Sequence, residues 1–299
     1  MNGKTKKNQK AIFMAITNAI GHNKNGKVIY KIKQNGNFLY NKNGEKIIDD
    51  DLPEITENFK RYLRNNLEQE SRLGFNIDND SLNDHIFIPE YYNPEIKKEV
   101  ETIKENKKYK VFSVGELISK KVLQIKRGNE IGSQFYGTGD VPFVRTSDIV
   151  NWEIKFDPVK AVSEEIYENY KKQQDIRGKD ILFVNDGTFL IGRTAMITEL
   201  DIKCIIQSHV RKIRVLDESL VDSYYLFYLL NSKFVRKQID SKTFVQATIS
   251  TIGNRLNEVT LPILEDKKEQ QKISAQIKKI IEEKTILRKK TMEIIQNSI

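Results

Sequence analysis

The sequence predicts a mixed α/β (α+β) domain followed by one long C-terminal helix of coiled-coil type. Three observations predict it. Short β-branched runs recur across residues 141–214: Val141-Pro142-Phe143-Val144, Ile181-Leu182-Phe183-Val184, Thr194-Ala195-Met196-Ile197 and Val210-Arg211-Lys212-Ile213. They are broken by polar tips and by Asp186-Gly187 and Gly192, the pattern of strands joined by tight turns. Residues 222–236 place Tyr225, Leu226, Leu229, Leu230 and Phe234 at helical spacing. Over 266–296, Ile273, Ile277, Ile280, Leu287 and Ile294 fall on a heptad seam, with Lys284 and Thr291 at its two remaining positions.

The elements follow in order. Residues 1–50 hold ten lysines and three acids, a local charge of +7. The apolar run Ala11-Ile12-Phe13-Met14-Ala15-Ile16 leads into a turn-rich stretch, and residues 28–39 alternate loosely, as an exposed hairpin does. Asp51-Leu52-Pro53 reads as a helix start, with Asp at the cap and Pro in the first turn, and the helix is expected to run to about residue 67. Residues 68–90 are polar and turn-rich and read as a linker; 94–108 read as a charged connector helix. Lys126-Arg127-Gly128, followed by Gly132, Gly137 and Gly139, reads as a basic flexible loop. The expected organisation is 1–67, a linker and connector at 68–108, a principal domain at 109–264 and the helix at 265–299.

Composition bounds the function. The chain has 299 residues, 50 basic against 41 acidic, a net charge of +9 and 38% apolar residues. A positive balance favours polyanionic partners, though it constrains association rather than fold. The single cysteine, Cys204, excludes an internal disulfide and any cysteine-based metal cage, and it sits in an apolar run as a small core residue. No apolar run has the length of a membrane span and no apolar signal core opens the chain, so a cytoplasmic protein without a membrane role is expected.

Several catalytic patterns fail on their own terms. Asp84, Glu95 and Lys97 match the Asp…Glu-x-Lys spacing of a metal-dependent nuclease, and Asp148, Glu153 and Lys155 nearly do. In a chain with 30% charged residues such matches arise by chance, and Glu95 and Lys97 fall on an expected helix where the motif needs a strand. His22, His85 and His209 lie far apart, and His209 reads as a hydrogen-bonded residue of a strand. Asp186-Gly187-Thr188 lacks the Gly-Lys-Ser/Thr ending of a phosphate loop and reads as a hairpin turn. No catalytic and no metal-binding residue is expected on this chain.

The order of phrases around Val141-Pro142-Phe143-Val144-Arg145-Thr146-Ser147-Asp148, Gly178-Lys179-Asp180-Ile181 and Gln207-Ser208-His209-Val210-Arg211 resembles the target recognition domain of type I restriction–modification specificity subunits. Ile88-Pro89-Glu90-Tyr91-Tyr92 resembles the lead-in to such domains. Gln246, Ile249-Ser250 and Glu269-Gln270 stand where the family has a Gln…Ile-Ser phrase and the Glu-Gln opening of its long helix; one proline, Pro262, stands where the family often shows two. At the other end, Phe13-Met14-Ala15, Ile20-Gly21-His22 and Asp50-Asp51-Leu52-Pro53-Glu54-Ile55 resemble the tail of the catalytic domain of N6-adenine DNA methyltransferases. The Gly-rich cofactor turn and the Asn/Asp-Pro-Pro-Tyr/Phe loop of those enzymes are absent.

The resemblance implies a component, not an enzyme by itself, that grips part of a double-stranded DNA target and presents it to a partner N6-adenine methyltransferase. S-adenosylmethionine is expected on that partner and no cofactor on this chain. A restriction subunit is a possible further partner. The residue types that read DNA lie at the loop ends: Lys126, Arg127, Arg145, Thr146, Ser147, Asn185, Thr188, Arg193, Thr243 and Gln246. Arg145 and Gln246 are the preferred base readers, because each can make two parallel hydrogen bonds to a base edge. The seam Ile273, Ile277, Ile280, Leu287 and Ile294 is expected to meet a partner helix, in a second copy or another subunit, since little apolar sequence remains downstream to cover it. Two alternatives stand beside this reading: the C-terminal part of a fused methyltransferase or restriction enzyme, and a protein-interaction module with no DNA role.

Overall fold

The computed structural model describes residues 11–64, 70–83, 86–155, 157–187, 189–246 and 249–296. The chain divides into two compact units, Met1–Glu99 and Val100–Ile299.

In the first unit, β1 (Ala11–Met14), α1 (Leu52–Leu63) and β2 (Phe75–Asp78) share one small core. β1 and β2 pair antiparallel, Met14 opposite Phe75, and Met14, Ile16 and Phe75 are buried together. Phe13 packs on Phe59 and Tyr62 of α1 at ring-centroid distances of 5.3 and 5.5 Å. Asp51 ties the start of α1 to the chain before it. Its carboxylate accepts from the Asn18 and Ala19 amides at 2.9 and 3.2 Å and pairs with Arg72 at 3.0 Å. The expectation of a linker over 68–90 is therefore corrected. Polar flanks disguise β2, whose partner strand lies some sixty residues away.

Between these elements the chain makes three successive hairpins. Gly26, Gly36 and Gly44 each donate to the carbonyl three residues back at 2.9–3.1 Å, and their φ angles of 77°, 82° and 80° suit glycine. The amides of Gly21, Ile29 and Asp49 form a closed ring of hydrogen bonds, and those of Lys31, Leu39 and Ile47 form another. Main-chain bonding holds this segment, since only Gly21 is buried between residues 20 and 50.

α2 (Pro94–Glu105) leads to the second unit. Its strands are β3 (Tyr109–Ser113), β4 (Leu123–Arg127), β5 (Val141–Val144), β6 (Ile149–Val150), β7 (Glu153–Ile154), β8 (Ala161–Val162), β9 (Ile181–Val184), β10 (Asp186–Gly187), β11 (Thr194–Met196), β12 (Ile205–Ile206), β13 (Val210–Val215), β14 (Phe244–Gln246), β15 (Ile249–Thr251) and β16 (Thr260–Leu264). Its helices are α3 (Val114–Ser119), α4 (Glu164–Gln174), α5 (Ser223–Asn231), α6 (Lys233–Ser241) and α7 (Lys267–Gln296).

The largest sheet runs β11-β9-β13-β4, antiparallel throughout. β12 joins β5 in parallel and β5 joins β8 antiparallel, while β10-β15-β14 form a third small sheet. This is the mixed α+β architecture the sequence predicts, with a long C-terminal helix. A capping box starts α3: the Glu116 amide donates to Ser113 Oγ at 3.1 Å and the Ser113 amide to the Glu116 carboxylate at 2.6 Å. The principal core gathers Phe183, Ile213, Tyr225, Phe227, Leu261 and Ile277.

Helix α7 uses two faces. Ile277 and Ile281 are buried in the core of their own domain and Ile273 packs against it. Ser274 donates to Asp222, Arg288 pairs with Asp201, and Lys284 reaches Glu153 at 3.2 Å. Ile280, Leu287 and Ile294 are exposed. The five-residue partner seam is corrected accordingly: its first two residues face the chain's own domain, because α5 and the strands beside it supply the apolar cover that a periodicity argument cannot see.

Candidate nucleic-acid interface

Four chain segments meet at one end of the principal sheet, where β4 and β9 finish and β11 and β13 begin. β4 ends at Arg127, and the Gly128 and Asn129 amides continue its pairing by donating to Val210 O and Ile206 O, both at 3.0 Å. The Gln207 amide donates to Val144 O at 2.9 Å, which sets Arg145 beside this end. The Asn185 amide donates to His209 O at 2.9 Å, and the Val184 amide to Arg193 O at 2.9 Å. Arg127, Arg145, Asn185 and Arg193, scattered over 67 positions of sequence, thus lie along the same end of the sheet. The expected flexible loop at 126–128 is corrected: Lys126 and Arg127 close a strand, and Gly128 lies so near the Ile206 and Gln207 carbonyls that a Cβ would stand 2.4 and 2.3 Å from their oxygens.

The register at this end sets like charge against like. Arg127 lies opposite Arg211 and Lys126 opposite Lys212, an arrangement that costs stability unless an anion or another compensation offsets it. The Lys212 pair is compensated internally. Lys212 is buried and donates to the Gln174 and Asp175 carbonyls, 2.5 and 2.7 Å away. Arg127 is exposed and donates from Nε to Ser208 O at 2.9 Å. Burial draws the Arg211 guanidinium below its ordinary range; nearby Asp186 opposes this and Arg127 adds to it.

The expected contact residues differ in what they can do. Arg145 begins a turn fixed by Asp148, which is fully buried and whose carboxylate accepts from the Arg145 amide at 2.9 Å. Ser147 is exposed and Thr146 half-buried on the same turn. Asn185 is 1% exposed; its Nδ2 donates to Asp186 Oδ1 at 2.7 Å, and its Oδ1 has no partner among the described residues. Thr251 donates to the same Asp186 oxygen, and His209 Nδ1 lies 3.5 Å from the other. Asn185 therefore braces the turn from below. Thr243 spends its hydroxyl on Ile239 O at 2.8 Å, at the end of α6. Gln246 belongs to β14, opposite Ile249, while its side chain and Thr188 lie outside the described residues.

Sequence reasoning missed Phe189, an apolar residue in a polar turn; Arg211, which the sequence sets beside a turn with Arg145 and Arg193, lies within β13. The apparent nuclease sets do not assemble: Asp148 is consumed by its turn, Glu153 pairs with Lys284, and Glu95 and Lys97 lie on α2. Asp84 and His85 lie outside the described residues. Among the described residues no group of three acidic, His or Cys side chains is placed to hold a metal, and no helix is long and apolar enough to cross a membrane.

Residues 106–297 match the family model of the type I restriction modification DNA specificity domain. The chain belongs to that family. No curated protein matches it. Among solved structures it is similar to the S subunit of a type I restriction-modification system from M. genitalium, at 15% identity and a TM-score of 0.40, over 57% of this chain and 39% of that one. The HsdS subunit from Thermoanaerobacter tengcongensis is 17% identical with a TM-score of 0.39, over 66% and 46%. A chain from a structure describing complex assembly and conformational transition of the type I R-M system is 14% identical with a TM-score of 0.40, over 86% and 73%. The specificity-domain chain described here thus spans under half the length of the first two.

Proposed function

We propose that this chain is a DNA sequence-specificity component of a type I restriction–modification system. It binds part of a duplex target and positions a partner N6-adenine methyltransferase. The observation that carries the reading is the Arg127–Arg211 pair, set side by side at an end of the sheet where Arg145 and Arg193 also emerge, in a specificity-domain chain. Two arginines paired across neighbouring strands are a cost in the unliganded protein and a gain beside phosphates, which release counterions when a cation reaches them.

In this reading Lys126, Arg127, Arg193 and Arg211 meet the backbone. Arg145, Thr146 and Ser147 reach base edges from the turn that Asp148 fixes, with Gln246 as a second reader from β14. Thr243 belongs to the same rim, and Asn185 supports it. S-adenosylmethionine is carried by the methyltransferase, which flips the target adenine out of the duplex; this chain supplies position and no cofactor chemistry. The exposed stripe of α7 receives a partner helix, from a second copy or from the other half of a two-domain arrangement. Leu287 lines a 430 Å³ cleft with Val150, Lys284 and Thr291, which gives such a partner a place to seat.

The test is selection of bound duplexes from a random-sequence library by the purified chain, followed by titration with salt. Enrichment of a common sequence, with affinity falling steeply as salt rises, is the expected result. Binding that selects nothing and ignores salt would leave the interaction-module reading in its place.

A further inference from the structure

Phe189 is 92% exposed, the most exposed large apolar side chain among the described residues. The described residues on either side of it are tied into the fold. It leaves β10 at Gly187, whose φ of 150° is a conformation that side-chain-bearing residues rarely adopt. It re-enters the fold at Ile191, which is buried in the principal core and whose carbonyl accepts from an Arg236 amino group at 3.0 Å. The Gly192 amide then closes the turn on Val184 O at 2.8 Å, and the Arg193 amide bonds Leu190 O at 2.9 Å. The exposed phenyl ring thus stands one residue before a turn that is hydrogen-bonded into the fold at Leu190, Ile191 and Gly192.

The small sheet beside it carries further exposed apolar side chains, and one exposed arginine stands at its foot. Gly187 pairs with Ser250, and Ser250 pairs on its other side with Val245. Val245 is 73% exposed and Ile249 is exposed too, so the same small sheet presents further apolar side chains to solvent. Arg193 is exposed at the foot of the turn, and Arg236 stands beside Gly192. The carboxylates nearby are engaged: Asp186 accepts from Thr251 and Asn185, and Asp240 lies 3.5 Å from Arg236. An apolar projection with the exposed Arg193 at its foot fits a partner with a charged exterior and a stacked apolar interior, which is duplex DNA. An acidic protein surface offers no such interior.

Resting on the DNA-binding reading above, we propose that Phe189 is a wedge that enters the base stack of the bound duplex and kinks it, with Val245 following it into the groove. Apolar side chains inserted at a base step unstack it and bend the helix, and pyrimidine–purine steps yield most readily. The wedge adds a preference for a deformable step at a position where no base edge is read.

The experiment uses the full chain and a duplex that it selects from a random library, labelled at both ends for energy transfer. The wild-type chain is expected to draw the ends together. F189A is expected to bind about tenfold more weakly, to leave the duplex straight, and to keep the wild-type salt dependence, because the phosphate contacts are untouched. F189L is expected to retain most of the bend. A ring so exposed packs on little, so F189A should unfold at the wild-type denaturant concentration. A bend that persists in F189A, or a wild-type complex with straight DNA, overturns the wedge and leaves DNA binding standing. If the wild-type chain retains no duplex in a salt-dependent way, the wedge and the DNA reading fall together.

Discussion

Arg214 closes on Asp180 with two parallel hydrogen bonds, Nε to Oδ1 at 2.6 Å and Nη2 to Oδ2 at 2.7 Å, while its Nη1 holds Asp175 at 2.7 Å. Asp180 is 1% exposed, so this carboxylate has left water and depends on its partner. Removing one member of such a pair strands the other's charge. R214M is therefore expected to destabilise the second unit by about 3–5 kcal/mol, measured as a shift in the urea midpoint. The double variant R214M/D180L, which removes both charges, should recover most of the loss.

Lys212 gives the same cluster a pH dependence. Burial draws its ammonium down to about 8, with Arg214 and Lys126 adding to the fall and Asp180 and Asp175 opposing it. An unfolded lysine titrates near ~10.4. Between those values the unfolded chain holds a proton that the native chain has lost, so stability rises with pH across that window. It falls back as the pH drops through 8. Urea midpoints taken from neutral to alkaline pH should show the rise in wild type and not in K212M. Equal slopes in the two proteins would sink the assignment.

Gly128 is predicted to hold the candidate interface together. Its missing side chain lets the chain pass beside the Ile206 and Gln207 carbonyls, which are backbone and cannot swing aside. G128A is expected to cost about 1–3 kcal/mol through overpacking. It should also separate Arg127 from Arg145, seen as weaker duplex retention at temperatures where the protein remains folded.

What the sequence made legible, and what it hid, follows from range. β9 and α5 were readable because their apolar residues are dense, four in a row in Ile181–Val184 and at helical spacing in Ser223–Asn231. The register that sets Arg127 against Arg211 was not, since it depends on which strands become neighbours. The strand Phe75–Asp78 hid for the same reason, as its alternation makes sense only once Ala11–Met14 lies beside it. Asn185 looked like a loop-end reader because Asn favours turns, and its burial comes from β13 and β15 closing over it. The heptad in α7 was visible as a period, but a period does not say whether the cover is domestic or foreign.

That division in α7 can be measured. Ile277 and Ile281 are core residues, and alanine at either should cost about 2–5 kcal/mol. Ile280 and Leu287 are exposed, so I280S/L287S should leave the unfolding free energy within about 0.5 kcal/mol of wild type. The same double variant should abolish self-association or methyltransferase-subunit binding in sedimentation experiments. Unchanged assembly would remove the exposed stripe from the partner interface.

The division of labour at this end of the sheet makes the sharpest test of the DNA reading. Arg127 belongs to a cross-strand cation pair and is assigned to phosphate. R127A should weaken binding to every duplex alike and flatten the salt dependence by about one unit, since each lost phosphate contact removes ~0.9 from the slope. Arg145 leaves the sheet end on a turn locked by Asp148 and is assigned to a base. R145A should keep the salt slope near its wild-type value and lose about 1–3 kcal/mol of discrimination at a single position of the selected sequence. D148N should mimic R145A in part, because the amide of Arg145 would lose its carboxylate partner and the turn its fixed aim. If R127A alters sequence preference while R145A alters only the slope, the two roles are exchanged and the sheet end meets DNA in the opposite orientation. If neither variant changes either quantity, the duplex is bound elsewhere on the chain.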